Sequence, residues 1–568
     1  MLKAVIFPFV LLISLNCFAQ GPISANFDCP VPQKKLQSFT DSKEAEKYLT
    51  EKVLTPKTHK KINKKIELYL NAQKFLVDKF QVHSGDNFIP PDGGSYVRNI
   101  KDNKTEVTRD EWEELLKLSD ELNSEDKINT SSFHSCLRAI KKFQTLENSI
   151  VDLSIIRHKA GQRNLFCKNF PKGGMLHVHP AGTFDRRTVE SVFEQTNPLI
   201  DRDLIEFALS LDLYEKEKNY LNYLNTFPGS VRFMDLVDRD SFVNIFVLPE
   251  TGNSHNFTRF SAFFRLKGFL THRIFSEDTS ADRYDAFVAK VYSQVLQRAV
   301  RHRVKYIEFT KGISLDEMES RVTFTKRMEE KFGVTIRWNI SFSRSVNRYE
   351  NLEYFVKVIN KLRANPELQK YFVGIDLLSD ETSTPALENG QLLYTPLLGE
   401  QSLAGGLRLN RTMHAGELGD HRNVRDALIL GSKRLGHGVA LADLRNIYAL
   451  EFARRIKTPV EINLISNLKL GVVKSIRAHP FVDFLRLGLP VSLSTDDEGL
   501  FQTNITKECE AAVGKTDISY QELKQMSYNA INTSFIDDVS KKKLIVRLDS
   551  DFKKFEQWVI DWQKYYAE

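Results

Sequence analysis

Four short clusters hold the residues of this chain that are best suited to chemistry. They are His177-Val178-His179, His414-Ala415-Gly416-Glu417, Gly436-His437-Gly438 and Thr495-Asp496-Asp497. Each cluster ends a short apolar run that is typical of a buried strand. Together the clusters offer three histidines and a carboxylate for one metal ion, with a glutamate, a histidine and an aspartate left for proton transfer. Metal-assisted hydrolysis requires this inventory.

The first histidine pair has the spacing of two ligands on one strand. Because side chains at positions i and i+2 point the same way, His177 and His179 share a face and can bind one ion. His414 and Asp496 add a third imidazole and a carboxylate, a set that suits zinc and leaves a position for water. The alternative is a group of hydrogen-bonded core histidines without a metal. We expect one Zn²⁺ per chain.

The other polar groups of the clusters fit proton handling. Glu417 follows His414 after a glycine, and its carboxylic acid can protonate a ring nitrogen unless it forms a surface salt bridge. His437 can take the proton of metal-bound water, hold the resulting hydroxide, or simply bond the backbone at the barrel rim. A metal on Asp496 would relieve its repulsion of Asp497 and leave Asp497 for a substrate nitrogen. Without a metal, such an aspartate pair is usually a helix N-cap.

Eight apolar runs predict the strands that position these clusters. They are GMLHVHP at 174, VKYIEF at 304, VTIRWNISF at 334, YFVGIDLL at 371, LRLNRTMHAGE at 407, KRLGHGV at 433, TPVEINLISN at 458 and LPVSLSTDD at 489. Helical stretches alternate with them, which indicates a parallel sheet with helical crossovers. The expected fold is α/β, a (β/α)₈ TIM-like barrel over residues 166–568. The long gap after the first run predicts a subdomain inserted at about residues 186–258, with a lid role or a purely structural one.

The chain before the barrel predicts a leader and a helical extension. Residues 1–19 contain an early lysine, a short apolar core and a small residue at Ala19, as a secretory signal peptide does. A retained anchor is the alternative. Residues 20–165 repeat apolar side chains every three or four positions, which is typical of helices. We therefore expect a secreted or periplasmic protein that has no membrane segment after cleavage of the leader.

Composition narrows the classes of partner. The 568 residues are 42% hydrophobic and 27% charged, as in ordinary globular proteins, and a net charge of +7 is mild for this length. The expected surface is solvated and does not bind nucleic acid. Cys29, Cys136, Cys167 and Cys509 permit disulfides in an exported chain. Pairing of Cys29 with Cys136 and of Cys136 with Cys167 are both open.

The strings PKGGMLHVH, TMHAGE, RLGHGV and SLSTDD, in this order, resemble motifs of the adenosine/AMP deaminase family of the amidohydrolase superfamily. The resemblance covers residues 169–501. The PKGG start, the leader, the extension and the insert resemble the secreted branch of that family, the adenosine-deaminase-related growth factors. A homodimer formed through the extension and the insert is a further expectation.

The resemblance implies a reaction and a role for each site residue. The implied zinc ligands are His177, His179, His414 and Asp496. Glu417 would protonate the purine at N1, and His437 would serve the attacking hydroxide. Asp497 would bond N7, and Ser379 would offer its backbone N–H to the purine. Water would add at C6 and ammonia would leave, so that adenosine or 2'-deoxyadenosine becomes inosine or 2'-deoxyinosine.

The chain departs from the family pattern around the implied substrate contacts. An acidic residue common soon after the first histidines is missing from His179-Pro180-Ala181-Gly182, and Asp185 is a displaced substitute. Ser379 stands where a glycine is common, and Glu498 where a proline is common. A purine nucleoside stays the expected ligand, but another aminated purine is an alternative substrate. A secreted binding or signalling protein with little catalysis is the alternative from another class.

Overall fold

The computed structural model describes residues 29–80, 109–122, 130–147, 149–248, 257–276, 281–394, 397–398, 407, 409–418 and 421–567. The predicted signal peptide, residues 1–19, lies outside these described residues. Two compact units divide the chain: the described parts of residues 1–59 and 127–144 form one, and those of 60–126 and 145–568 form the other. No helix among the described residues combines the length and the apolar character that a bilayer span needs.

The smaller unit is helical and crosslinked. A disulfide joins Cys29 to Cys136, which is one of the two pairings that the sequence left open. Asp41 caps the helix Ser42–Lys52, because its carboxylate accepts hydrogen bonds from the first backbone N–H groups of that helix.

All the described elements before the barrel, in both units, are helices: Gln33–Gln37, Ser42–Lys52, Pro56–Phe80, Arg109–Leu122, Ser131–Glu147, Ser154–Arg157 and Ala160–Asn169. The boundary of the extension at residue 165 stays a prediction.

Eight parallel strands form the barrel of the larger unit, and all eight predicted runs are confirmed. They are β1 (Gly173–Val178), β2 (Val304–Lys311), β3 (Thr335–Ser343), β4 (Phe372–Leu378), β5 (Asn410–Ala415), β6 (Arg434–His437), β7 (Val460–Ile462) and β8 (Val491–Leu493). Their order in the sheet follows the chain. Most of their residues are buried, which explains why they read as apolar runs. The predicted (β/α)₈ TIM-like barrel is therefore correct.

The barrel closes at the site that the sequence singled out. A parallel bridge pairs Val178, at the end of β1, with Asp496, just beyond β8. The Asp496 N–H donates to the carbonyl of His177 at 3.1 Å. Closure of the sheet thus brings the first and the last of the predicted ligand clusters together.

Helices surround the barrel and follow its strands. Those after β2 are Glu317–Phe332, Arg348–Ala364, Pro366–Tyr371, Ala386–Tyr394, Arg422–Ile429, Ile447–Ile456, Leu464–Lys469, Phe481–Arg486, Ile505–Lys515, Tyr520–Asn532 and Asp538–Ala567, with short 3₁₀ turns at Val439–Ala442, Leu444–Asn446 and Ile476–Ala478. A second disulfide, which the sequence did not suggest, joins Cys167 before β1 to Cys509 after β8.

The long connection from β1 to β2 is folded. It contains the helices Arg186–Thr196, Arg202–Leu209, Glu215–Leu224, Arg239–Asn244, Phe257–Ser276 and Ala281–Arg301, 3₁₀ turns at Pro180–Gly182 and Phe233–Asp235, and a ladder of Leu199–Ile200 with Val231–Arg232. Its aromatic core takes in Leu500 and Phe501 from the loop after β8, and the rings of Phe260 and Phe501 stack at 5.3 Å. The insert therefore packs against the loop that follows Asp496. Its predicted limits and lid role stay predictions.

Candidate active site

The four predicted ligands converge on one point at the carboxyl ends of β1, β5 and β8. The Nε2 atom of His179 lies 3.2 Å from Nε2 of His177 and 3.1 Å from Nε2 of His414. Asp496 Oδ1 lies 3.3 Å from His179 Nε2 and 3.6 Å from His177 Nε2. The side chains of the set are buried, except for His179, which is partly exposed. The structure therefore brings these four residues together.

Two carboxylates orient the buried histidines. His177 Nδ1 donates to Glu461 Oε2 at 2.9 Å, and His414 Nδ1 lies 3.0 Å from Asp376 Oδ2. Because a neutral imidazole carries one proton, a proton held on Nδ1 leaves the lone pair on Nε2. The Nε2 lone pairs of His177 and His414 therefore point at the same space as His179 and the Asp496 carboxylate.

This concentration of acceptors fits a cation. Burial works against a charged His177, yet hydrogen bonds and charge from Asp496 and Glu461 raise its pKa well above the ordinary value. Burial likewise opposes charge on Asp496, but His177 and the other histidines hold the pKa of Asp496 far below its usual range. The Nε2 atom of His179 lies within 3.2 Å of those of His177 and His414, so one cation among them would contact all three rings. Three imidazoles and a carboxylate can hold one metal ion in this position.

Glu417 and His437 lie beside the ligand set. His437 Nε2 is 3.5 Å from Glu417 Oε1, and the His437 ring centroid is 4.6 Å from that of His177. His437 also groups with His177 and Asp496 as a combination that could hold an ion. Burial raises the pKa of Glu417 well above its usual range, and the charges of Asp496 and Glu381 raise it further. Burial and these neighbouring charges therefore favour the protonated form of Glu417.

Asp497 faces the same space from the loop after β8. Its Oδ1 atom is buried and has no hydrogen-bond partner among the described residues. Burial, and then the charge of Asp496, raises the pKa of Asp497 well above its ordinary value. Gly182 packs against it so closely that a Cβ there would lie 1.7 Å from Asp497 Oδ1. The protonated form of Asp497 is thus favoured, and the absence of a side chain at Gly182 leaves room for its carboxyl group.

Left-handed backbone conformations mark the strand ends around the site. Ser379, His437 and Asp496 have φ values of 86°, 62° and 56°. A side chain in this region costs about 1–3 kcal/mol, and such residues persist where the surrounding fold demands them. The surrounding fold therefore holds three of the predicted site residues, Ser379, His437 and Asp496, in the left-handed conformation.

Ser379 lies one residue beyond β4, and its hydroxyl accepts a hydrogen bond from Ser343 at 3.0 Å. This contact directs its side chain toward the end of β3. The same loop supplies Glu381, which accepts hydrogen bonds from the N–H groups of Gly416 and Glu417 at 2.9 and 3.0 Å. The loop after β4 thereby fixes the backbone that carries Glu417.

Asp185 and Glu498 have structural partners. The Asp185 side chain caps the helix Arg186–Thr196 by accepting from Thr188 N, and it also pairs with Arg298 at 3.2 Å. Glu498 pairs with the same Arg298 at 2.8 Å. Asp185 would have to give up these contacts to take the place of the missing family acid.

The sequence analysis did not identify the residues that orient the predicted metal ligands. Glu461 and Asp376 orient two histidines, and Ser466 donates to Asp496 Oδ2 at 2.6 Å. One signal was visible, because Glu461 and Asp376 are charged residues inside otherwise apolar runs. A buried charge of this kind needs a partner.

The chain is similar to deaminases of known sequence and to an amidohydrolase of known structure. An adenosine deaminase from Enterococcus faecalis is 31% identical over 277 residues, which cover 47% of this chain and 77% of the relative. An aminodeoxyfutalosine deaminase from Streptomyces avermitilis is 28% identical over 269 residues, or 45% of this chain and 71% of the relative. An amidohydrolase from Burkholderia ambifaria, solved with bound zinc, has the same fold with a TM-score of 0.50 and 19% identity, covering 70% of this chain and 94% of its own.

A family model shows which family the chain belongs to. The model described as adenosine deaminase matches residues 244–551, more than half of the sequence. The matched segment includes His414, Glu417, His437 and Asp496 but begins after β1, so the His177–His179 pair joins them only through the fold. The resemblance that the sequence motifs indicated is confirmed: the chain belongs to the adenosine deaminase family.

Proposed function

We propose that this protein is a zinc-dependent hydrolase that deaminates adenosine or 2'-deoxyadenosine to inosine or 2'-deoxyinosine. Water adds at C6 of the purine, the bond from C6 to the amino nitrogen breaks, and ammonia leaves. Membership of a family of hydrolytic deaminases supports the reaction class. The convergence of His177, His179, His414 and Asp496 beside Glu417, whose pKa burial raises, is the observation that carries the proposal.

Zinc is the ion that we propose for the site. Imidazole nitrogens and one carboxylate oxygen form a ligand set that zinc accepts, with one ion per chain. When bound, the ion supplies Lewis acidity that makes a water molecule nucleophilic near neutral pH. Asp376 and Glu461 keep the Nε2 lone pairs of two ligands directed inward, which raises their basicity.

Glu417 is the proposed general acid. Its raised pKa favours the protonated carboxyl group, and donation of that proton to N1 would make C6 of the purine more electrophilic. Hydrogen bonds from its own backbone and from Gly416 to Glu381 fix its position. A group that was ionised at neutral pH would have no proton to give.

Asp497 is the proposed contact for N7. Since N7 of a purine only accepts hydrogen bonds, the aspartate must act as the donor. The raised pKa of Asp497 and its unpaired Oδ1 support that role. Ser379 is the proposed second purine contact through its backbone N–H, in the loop that also carries Glu381.

Substitution of Glu417 by Gln tests the proposed acid. The glutamine amide keeps the size of the side chain but carries no transferable proton, so kcat should fall by about 10²- to 10⁴-fold. Metal analysis should show the same zinc content as in the unaltered protein. Glu388→Gln, which alters an exposed carboxylate on the helix Ala386–Tyr394, is the matched control and should keep full activity. Near-normal turnover in Glu417→Gln would contradict the proposed role.

Another aminated purine is the second candidate substrate. The relatives include an aminodeoxyfutalosine deaminase as well as adenosine deaminases. The chain also lacks the acidic residue that commonly follows the first histidines, and Asp185 is engaged with Arg298. A panel of aminated purine nucleosides, compared by kcat/KM, would distinguish the two candidates.

We also propose that the protein is secreted or periplasmic. The apolar segment in residues 1–19 and the two disulfides, Cys29–Cys136 and Cys167–Cys509, support an oxidising compartment. Amino-terminal sequencing of the protein recovered outside the cytoplasm tests the cleavage after Ala19. The growth-factor branch and a homodimer stay predictions, and light scattering tests the second.

A further inference from the structure

A chain of three hydrogen bonds runs from the backbone after β7 to His437. The Phe481 N–H donates to His479 Nδ1 at 3.3 Å. His479 Nε2 lies 3.0 Å from Asn467 Oδ1, and Asn467 Nδ2 lies 2.9 Å from His437 Nδ1. His479, Asn467 and His437 are all buried, with exposures of 4%, 0% and 0%. We call these three side chains the His437 relay.

The direction of every bond in the relay is determined at its outer end. A backbone N–H can only donate, so His479 Nδ1 must accept. Burial lowers the pKa of His479 to about 3, so its ring is neutral near pH 7 and carries its single proton on Nε2. That proton is donated to the oxygen of the Asn467 amide.

The orientation of the Asn467 amide determines which nitrogen of His437 carries the proton. With its oxygen engaged by His479, Asn467 presents its NH₂ group to His437 Nδ1. An amide nitrogen only donates, so His437 Nδ1 must accept. A neutral His437 therefore carries its proton on Nε2. That atom is buried beside Glu417 and has no hydrogen-bond partner among the described residues.

We propose that Asn467 and His479 are positioning residues that fix His437 as an N–H donor toward the reacting centre. Given the proposed deaminase function, His437 then donates a hydrogen bond from Nε2 to the attacking oxygen. Of the roles that the sequence left open for His437, this proposal selects holding the nucleophile over taking its proton.

The hydrogen bonds of the His437 relay disfavour a role for His437 as a base. If His437 accepted a proton on a free Nε2, its Nδ1 would have to carry the other proton. Asn467 would then face an N–H group with its own NH₂ group, and rotation of the amide would break its bond to His479. Each of these changes leaves a buried polar group without a hydrogen-bond partner, which is unfavourable.

The test reads the proton position directly. In protein labelled with ¹⁵N-histidine, the protonated and unprotonated nitrogens of a neutral imidazole have distinct shifts. The His437 signals are assigned by their loss in His437→Asn. We expect the proton on Nε2, both with and without added zinc. A proton on Nδ1 of His437 would overturn the proposal. This readout needs no substrate, so it is independent of the proposed function.

Two substitutions then alter the relay with little change of shape. Asn467→Asp replaces the donor by an acceptor, so we expect the His437 proton on Nδ1 and a fall in kcat of about 10²- to 10³-fold, as for loss of one oriented donor. KM and zinc content should change by less than about threefold, since a misplaced proton does not alter ligands or substrate contacts. His479→Gln keeps a donor near the same place and should keep wild-type kcat to within about threefold.

The outcomes separate the two proposals. Normal kcat in Asn467→Asp, despite a proton moved to Nδ1, would overturn the role of the relay. Loss of folding in that variant, seen by circular dichroism, shifts the decision to the wild-type proton position and to His479→Gln. Absence of deamination in the unaltered protein, with the proton on Nε2, would refute the proposed function and leave the relay intact.

Discussion

The carboxylate of Asp376 offers a sharp test of how the metal site is built. Its oxygens lie 3.0 and 3.1 Å from His414 Nδ1, and Oδ1 also accepts from the His414 backbone N–H at 3.2 Å. Asp376→Asn keeps the shape and one acceptor but removes the negative charge. His414 then becomes a less basic ligand, and its Nε2 lone pair is less firmly directed at the ion.

The expected loss follows from the kind of contact that is changed. Substitution of a group that orients a ligating histidine typically weakens metal binding by about 10- to 100-fold. This corresponds to about 1.4–2.7 kcal/mol. The histidine partner of Asp376 can be neutral, whereas Glu461 also pairs with the permanently charged Arg434. The fold should therefore tolerate Asp376→Asn better than it would tolerate the loss of Glu461.

The assay is a competition titration of zinc against a chelator of known affinity. Asp380→Asn is the matched control, because Asp380 lies in the same loop and its carboxylate accepts from Thr382 N at 2.8 Å instead of from a histidine. We expect the control to bind zinc like the unaltered protein. Zinc affinity within about twofold of wild type in Asp376→Asn would refute the orienting role, which is otherwise worth at least about tenfold.

Three other variants each test one contact. Burial lowers the pKa of His479 from 6.5 to about 3, so between these values the unfolded chain binds a proton that the folded chain excludes. The free energy of unfolding should therefore fall by about 2 kcal/mol between pH 7 and pH 5. Urea unfolding measures this fall, which should be absent in His479→Gln. Gly182→Ala places a Cβ 1.7 Å from Asp497 Oδ1, so kcat/KM should fall by about 100-fold with zinc retained; unchanged kcat/KM would rule out Asp497 as a substrate contact. Replacing Cys167 and Cys509 together by Ala should cost about 2–5 kcal/mol and lower Tm, and an unchanged Tm would contradict a stabilising crosslink.

The barrel was predictable because its signals are local. Strands buried on both faces are continuous apolar runs, and parallel strands end at one face of the barrel, so the clusters at their carboxyl ends had to meet. His177 and His179 share a strand face by their spacing alone. The glycine before His437 also marked a close approach, since a Cβ on Gly436 would lie 2.9 Å from the His177 ring.

The supporting contacts were not predictable because they join distant parts of the chain. His177 and Glu461 are 284 residues apart, and Cys167 and Cys509 are 342 apart. No local pattern distinguishes the partner among many candidates. The sequence offered Asp185 as a substitute for the missing family acid, but which groups surround it depends on where the insert places Arg298.

The most direct test of the account is the ultraviolet spectrum of adenosine during incubation with the purified, zinc-loaded protein. We predict a shift to the spectrum of inosine that is lost on chelation of the metal and restored by Zn²⁺. An unchanged spectrum with adenosine, 2'-deoxyadenosine and other aminated purines, in protein shown to hold zinc, would contradict the proposed deaminase.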